Sequence, residues 1–242
     1  MKYLNASLAA TVLLFLGSCN QKSGAMKQVA LGKQSASILK IDNLEFKDLN
    51  KNGKLDPYED WRLSSEVRSK DLVSQMTLEE KAGMLLIADM RMFNEIFMLD
   101  KVETPKAITA DFNEEDIVLD KNQFTGEPLA YPVMNTVGTT KGITQNHMRH
   151  FIWRTTTAPA DVMAAWSNKV QALAEKSRLG IPVIFASNPR NHISAGSMGA
   201  TASASVGFSK WPSEIGLASM NDKETVRQFA EMERQEWASV GL

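Results

Sequence analysis

Cysteine and net charge are the two things that this sequence nearly lacks. Cys19 is the only cysteine among 242 residues, so the chain forms no internal disulfide. The 27 Lys and Arg residues almost balance the 28 Asp and Glu residues, and no block of like charges interrupts the chain. Because nucleic-acid binding relies on a clustered basic surface, the sequence argues against a nucleic-acid partner.

Histidine is scarce as well, and His147, His150 and His192 are the three that the chain contains. A zinc site rests on close ligand geometry, and no spacing here brings these three together. We therefore expect no zinc site and no organic cofactor. Hydrophobic residues, by contrast, make up 43% of the chain, which is enough for the core of one large or two small globular domains.

Residues 1–19 have the order of a signal peptide. Lys2 supplies a positive charge, residues 8–16 are apolar, and Cys19 follows after a Gly-Ser pair. This order resembles a bacterial lipoprotein signal, in which cleavage before Cys19 leaves the protein anchored to a membrane of the cell envelope by acyl chains. The alternative is an ordinary secretory signal with an incidental cysteine. The polar residues 20–40 are predicted to be a flexible tether between lipid and domain.

A polar stretch from Asp48 to Glu59 matches a calcium-binding loop at every specified position of D-x-[DN]-x-[DN]-G-x5-E. In such a loop, side-chain oxygens face a common centre, glycine makes the sharp turn, and the last carboxylate closes the site with both oxygens. The predicted ligands are Asp48, Asn50, Asn52, the carbonyl group of Lys54, Asp56 and Glu59. The alternative is an Asn- and Gly-rich surface turn. With no second loop to pair with it, a structural calcium site is expected rather than a sensor.

The stretch 162–192 predicts a helix, a turn and a buried strand in succession. Apolar residues recur at three- and four-residue spacing over 162–173, and Gly180 is placed to end the helix. Residues 181–185 are typical of a strand covered on both faces. In parallel α/β barrels, ligands sit where the strands end. The polar cluster after this strand supplies three candidate substrate-binding residues: Asn188, Arg190 and His192. The alternatives are an Asx turn that Asn188 begins, and a purely structural role for Arg190 and His192 in holding the loop.

The rest of the chain alternates between helical and strand patterns. Thr77 and Glu80 form a capping-box signature, and residues 84–88 are a candidate first strand. Asp89, which follows, is a weaker candidate for the pocket, and we favour its interpretation as a solvated loop acid. The stretch 89–144 is irregular and predicts a long functional loop. Further segments are a second strand within 147–154, a connector over 207–220 and a last helix that begins at Asn221.

Three separated segments carry a family resemblance: MTLEEKAGM at 76–84, RLGIPV at 178–183 and WPSEIGLA at 211–218. In this order and spacing they resemble the start of a family 3 glycoside hydrolase, from about residue 41 to the end. The resemblance implies an α/β fold, a (β/α)8 TIM barrel of which the chain holds the first few βα units. It also implies a substrate that is a β-linked oligosaccharide or glucoside.

After the tether, the calcium-loop motif predicts a segment at 41–63, and the resemblance implies that 64–242 is the N-terminal portion of the barrel domain. The resemblance places Asn188 where related enzymes usually have an aspartate that holds sugar hydroxyls, and an amide there lacks the charge. It also implies that the catalytic nucleophile and acid/base lie downstream, so no catalytic residue is assigned within this chain.

Two functions from different classes remain open. The first is a retaining β-glucosidase-like hydrolase seen in part, inactive as this portion alone. The second is a non-catalytic, lipid-anchored protein that binds calcium or carbohydrate. An open reading frame continuing past codon 242 with further barrel strands would favour the enzyme.

Overall fold

A computed structural model describes residues 26–92, 112–122, 125–153, 158–187, 191–192 and 207–242. The predicted signal peptide with Cys19, and the candidate residues Asn188 and Arg190, lie outside the described residues. The chain separates into two units, residues 1–30 and 31–242. Residues 26–30, the described part of the first unit, form neither helix nor strand. None of the described helices is both long and apolar enough to cross a membrane.

The described part of the second unit contains seven strands and six helices. The strands are β1 (Ser37–Ile41), β2 (Leu44–Asp48), β3 (Ile87–Met90), β4 (Ile117–Lys121), β5 (Pro128–Thr136), β6 (His150–Trp153) and β7 (Ile184–Ala186). The helices are α1 (Ser65–Gln75), α2 (Leu78–Met84), α3 (Thr139–Thr144), α4 (Ala160–Glu175), α5 (Glu214–Ser219) and α6 (Lys223–Val240).

An antiparallel hairpin, β1 and β2, opens this unit. Its two turn residues, Asp42 and Asn43, adopt φ of 51° and 63°, the left-handed conformation of a tight hairpin turn. Phe46 on β2 is fully buried, and its ring stacks on Trp61 at 5.3 Å between centroids. Because β1 begins at Ser37, regular structure starts before residue 40, where the flexible tether was expected to end.

The main sheet has the strand order β4-β5-β3-β6-β7. β3, β6 and β7 run parallel, β5 is parallel to β3, and β4 pairs antiparallel with β5 at the edge. Helix α4 connects the parallel neighbours β6 and β7, as in a βαβ unit. The parallel sheet and its helices confirm the α/β class that the sequence predicts.

Alternate residues of the parallel strands build the core. Trp153 and Phe185 are buried and contact Trp166 of α4, with ring centroids 5.0 Å and 5.6 Å away. Met163 and Val170 of α4 are fully buried in the same cluster. Replacing a buried aromatic of this kind by alanine typically costs about 3–5 kcal/mol. This core fixes the ends of β6 and β7, where the candidate site lies.

Several boundaries differ from the predicted ones for identifiable reasons. The strand predicted from residue 181 begins at Ile184, because Pro182 has no N–H and the Gln171 side chain bonds both the N–H and the carbonyl of Val183. Residues 84–88 are divided between α2 and β3, since α2 continues to Met84.

The prediction that 89–144 lacks regular structure is wrong, because its described part contains β4, β5 and α3. The predicted connector over 207–220 likewise contains α5. The last helix is capped by Asp222, whose side chain accepts from two backbone N–H groups, and not opened by Asn221. The capping box of Thr77 and Glu80 is confirmed at the start of α2.

Candidate functional site

The carboxyl ends of β3, β6 and β7 lie at one edge of the sheet, because the three strands are parallel neighbours. The Ser187 hydroxyl group, directly after β7, donates to the carbonyl oxygen of Trp153 at the end of β6, at 3.0 Å. This bond holds two strand ends together immediately before the predicted polar cluster. Such an edge is where ligands bind in parallel α/β proteins.

Asp89 and Arg91 sit at the end of β3 and are buried, with 4% and 5% of their surface exposed. Both make polar interactions within the protein. The interpretation of Asp89 as a solvated loop acid is therefore wrong. Two buried charged residues at a strand end are expensive unless they are paired, and such residues cluster at functional sites. Arg91 was missed by sequence reasoning, although a charged residue at the end of an apolar strand is a usable signal.

His192 is the one predicted substrate-binding residue that the structure describes. Its Nδ1 lies 3.9 Å from Oε2 of Glu214 on α5, and 27% of its side chain is exposed. Asn191, beside it, is 6% exposed and donates from Nδ2 to Oε1 of Glu233 on α6, at 3.4 Å. The turn after β7 thus lies against α5 and α6.

Two glutamates of α6 were not predicted: Glu233 contacts this turn through Asn191, and Glu236 lies near Glu233. Glu236 accepts from the N–H and the hydroxyl group of Ser209, at 2.9 Å and 2.5 Å. Burial raises the pKa of Glu233, and the neighbouring carboxylates of Glu214 and Glu236 raise it further. A signal was present in the sequence, because positions 233 and 236 fall within the apolar stripe of the last helix, where a carboxyl group is out of place.

The predicted calcium loop brings several of its side chains together. The amides of Asn50 and Asn52 both donate to Oδ2 of Asp56, at 2.7 Å and 2.6 Å. Asp48 accepts from the backbone N–H groups of Asn52 and Gly53, each at 3.0 Å. The first, third, fifth and ninth positions of the loop therefore converge. The backbone N–H of Lys54 donates to Oδ1 of Asn52 at 2.7 Å.

Glu59 is held by the loop backbone. Its carboxylate accepts from the N–H groups of Leu49, Asn50 and Asp56, at 2.6 Å, 3.2 Å and 3.0 Å. Burial raises its pKa in spite of these three bonds. Within the described residues, no three His, Cys, Asp or Glu side chains are grouped so as to hold a metal ion.

The loop is fastened to the turn that joins α4 to β7. Lys51 donates from Nζ to the carbonyl groups of Glu175 and Ser177, at 3.2 Å and 2.7 Å. The Tyr58 hydroxyl group donates to the carbonyl of Leu179 at 3.3 Å. Lys51 thereby satisfies carbonyl groups at the end of α4 that have no partner within the helix.

Glu175, the last residue of α4, forms hydrogen bonds with the segment that leads into β1. Its Oε2 accepts from three successive backbone N–H groups, those of Gln34, Ser35 and Ala36, and its Oε1 accepts from Lys47 Nζ at 3.0 Å. Burial alone would raise the pKa of Glu175, but these hydrogen bonds outweigh it and lower the pKa from 4.5 to about 2. The carboxylate is therefore firmly ionised at neutral pH.

These features define an α/β protein with candidate binding residues where its parallel strands end. The chain is 36% identical over 238 residues to a periplasmic β-glucosidase/β-xylosidase of Dickeya chrysanthemi, covering 98% of this chain and 31% of the relative. It is 32% identical over 185 residues to a probable β-glucosidase C of Aspergillus oryzae, covering 76% of this chain and 24% of the relative. β-glucosidase C of Emericella nidulans is 31% identical over 175 residues, which is 72% of this chain and 22% of that relative.

These similarities confirm the resemblance carried by the three motifs: the chain is related to β-glucosidases of the family 3 glycoside hydrolase type. It spans about a third or less of the length of these relatives. No protein-family model matches the chain.

Proposed function

We propose that this chain forms part of a β-glucosidase-like glycoside hydrolase and supplies one wall of its substrate pocket. The similarity to a β-glucosidase/β-xylosidase across 98% of the chain carries this proposal. The proposed substrate is a β-linked glucoside or oligosaccharide, which meets the protein at the carboxyl ends of β3, β6 and β7. Asn188, Arg190 and His192 are the proposed contacts, and the hydroxyl groups of a sugar suit their mixture of donors and acceptors.

The proposed reaction is hydrolysis by double displacement. Retaining enzymes use two carboxyl groups about 5–5.5 Å apart, one as nucleophile and one as acid/base. We assign neither to this chain, since the family resemblance implies that both lie in later parts of such an enzyme. Residues 1–242 alone are therefore proposed to be inactive.

A chimera tests this proposal. This chain would replace the matched segment of the Dickeya chrysanthemi relative, and release of p-nitrophenol from p-nitrophenyl β-D-glucoside would be measured. We expect turnover from the chimera and none from residues 1–242 alone. His192→Ala in the chimera should lower kcat/KM more than Lys210→Ala, an exposed control. A folded chimera without turnover, or enzyme-level turnover from the 242-residue chain, would contradict the proposal.

The second candidate function is a non-catalytic, lipid-anchored protein that binds calcium or carbohydrate, and the convergent loop from Asp48 to Asp56 is the observation that favours it. Calorimetric binding of a β-linked glucooligosaccharide to residues 20–242, combined with an inactive chimera, would support this function over the hydrolase.

We also propose that the loop binds calcium through Asp48, Asn50, Asn52, Asp56 and Glu59 with the carbonyl of Lys54. The convergence of four ligand positions supports this, whereas the three backbone bonds of Glu59 do not match bidentate closure. Binding therefore requires the asparagine amides to turn their oxygens inward and Glu59 to release N–H groups. The calcium would act by stabilising the folded loop, with no part in the chemistry.

Thermal unfolding with calcium or a chelator tests this site. Millimolar calcium should raise the melting temperature of residues 20–242, because a ligand that binds only the folded state stabilises it. Glu59→Gln should remove most of that rise, whereas Glu66→Gln, an exposed residue on α1, should keep it. If calcium and chelator both leave the melting curve of the wild type unchanged, the loop is only a turn.

Finally, we propose an envelope location with a lipid anchor at Cys19. The order of residues 1–19 supports the anchor, and the Dickeya chrysanthemi relative is named periplasmic. Fatty-acid labelling in a bacterial host should mark the wild-type chain and not Cys19→Ser. An unlabelled wild type would leave the ordinary secretory signal as the explanation.

A further inference from the structure

Asn191 is a buried amide, and only one half of it has a hydrogen-bond partner in the part of the chain that the structure describes. Its Nδ2 donates to Oε1 of Glu233 at 3.4 Å, while its Oδ1 finds no hydrogen-bond donor among the described residues. An unpaired buried acceptor of this kind costs about 1–3 kcal/mol. A donor that reaches Oδ1 would remove this cost.

Among the described residues, the charged groups that act on Glu233 are carboxylates. The charged groups of the described chain that act on it are Glu214 of α5 and Glu236 of α6, and His192 faces Glu214 at 3.9 Å. Glu236 accepts two hydrogen bonds from Ser209, one from the backbone N–H and one from the hydroxyl group. Burial and these two carboxylates raise the pKa of Glu233, and both effects favour its neutral form.

We propose that Glu233 is a positioning residue that, as the neutral acid, forms a two-bond pair with the Asn191 amide and so fixes the turn after β7 against α6. The O–H of Glu233 donates to Oδ1 of Asn191, while Nδ2 of Asn191 donates to the Glu233 carbonyl oxygen. A carboxylic acid and a primary amide each carry one donor and one acceptor on adjacent atoms, so they match. The importance of this turn for sugar binding rests on the proposed function, but the pair does not.

The pair has a definite pH dependence. A carboxyl group whose folded pKa is raised contributes stability in its protonated state, and this contribution is lost as pH rises through the folded pKa. The turn that contains Asn191 and His192 is therefore held most firmly at acidic pH and loosens above the pKa of Glu233. An ionised Glu233 would leave Oδ1 unpaired and bring a third negative charge beside Glu214 and Glu236.

Hydrogen–deuterium exchange of peptides containing Asn191 and His192 tests the pair in the full chain. After correction for the intrinsic rate, exchange in the wild type should be about tenfold faster at pH 8 than at pH 5, roughly the loss of one buried hydrogen bond. Glu233→Gln, which keeps a donor and an acceptor, should stay protected at both pH values. Glu233→Ala should exchange rapidly at both.

Loss of protection in Glu233→Gln would overturn the proposal. If Gln and Ala exchange equally fast at pH 5, or if wild-type protection rises with pH, an ionised Glu233 holds the turn. Asn191→Asp provides a second variant, and its protection should fall more steeply with pH than that of the wild type because two carboxylates then meet. Exchange is measured without substrate. An inactive chimera together with these exchange results would therefore refute only the proposed hydrolase function and would leave the pair of Glu233 and Asn191 supported.

Discussion

Neutralising Glu175 should destabilise the protein more than the loss of any other hydrogen-bond acceptor described above. The side chain is only 6% exposed, and its carboxylate holds three backbone N–H groups and Lys47. In Glu175→Gln, one oxygen remains for these donors, and the new NH2 group faces donors that it cannot accept from. Buried donors without partners cost about 1–3 kcal/mol each.

The lowered pKa of Glu175 gives a second value for the free energy that the ionised carboxylate contributes. A shift from 4.5 to about 2 corresponds to about 3 kcal/mol of preference for the ionised form. Because the folded pKa is lowered, this stabilisation is fully present above pH 4.5 and is lost as pH falls toward 2. We expect Glu175→Gln to lower the free energy of unfolding by about 2–4 kcal/mol at pH 7, out of a typical 5–15 kcal/mol.

Urea unfolding at pH 7 and at pH 3 measures both effects. The variant should unfold at lower urea than the wild type at pH 7, and the difference should shrink at pH 3. Glu231→Gln is a matched control, since the Arg234 hydrogen bond lowers the pKa of Glu231 to about 2 as well, but on the exposed face of α6. Exposed pairs contribute little, so this control should unfold like the wild type. Equal unfolding of both variants at pH 7 would refute the reasoning.

Three further substitutions test packing and capping by urea unfolding. Gly180→Ala should lower the free energy of unfolding by about 1–3 kcal/mol, because φ is 57° and the added Cβ would lie 3.0 Å from Leu49. An unchanged urea midpoint would show that the loop around Leu49 moves to accommodate the Cβ. Gly83→Ala should cost more, because its Cβ would lie 2.3 Å from the carbonyl oxygen of Asn146, and a smaller loss than that of Gly180→Ala would contradict the packing. Thr77→Ala should cost about 1 kcal/mol through loss of the capping box, and Thr77→Ser should restore most of it.

Local chemistry made the helices of this fold predictable. The capping box of Thr77 and Glu80 and the apolar spacing within α4 each depend on residues close in sequence, and both appear in the structure. The start of β7 was not predictable in the same way. It depends on the Gln171 side chain, which lies twelve residues from Val183 along the chain and bonds both of its backbone groups.

Predicting the strands at the sheet edge also required tertiary information. β4 and β5 alternate too weakly in polarity to stand out, and their strands form by pairing with each other and with β3. Burial of Asp89 depends on the neighbouring strands, so its sequence position after an apolar run did not distinguish it from a loop acid. Glu233 was detectable in principle, yet its contact with Asn191 joins positions 42 residues apart.

The two groups of residues singled out above act at opposite ends of β7. Lys51 and Tyr58 contact the turn between α4 and this strand, and Glu175 is the last residue of α4. Asn191 and His192 lie after the strand, at the carboxyl edge. In barrel enzymes the carboxyl edge carries the chemistry, whereas the opposite edge contributes stability. Changes at Glu175 or in the predicted calcium loop are therefore expected to alter unfolding. Changes at Glu233 and His192 are expected to alter the proposed pocket, because the short strand between the two groups is fixed by Trp153, Trp166 and Phe185.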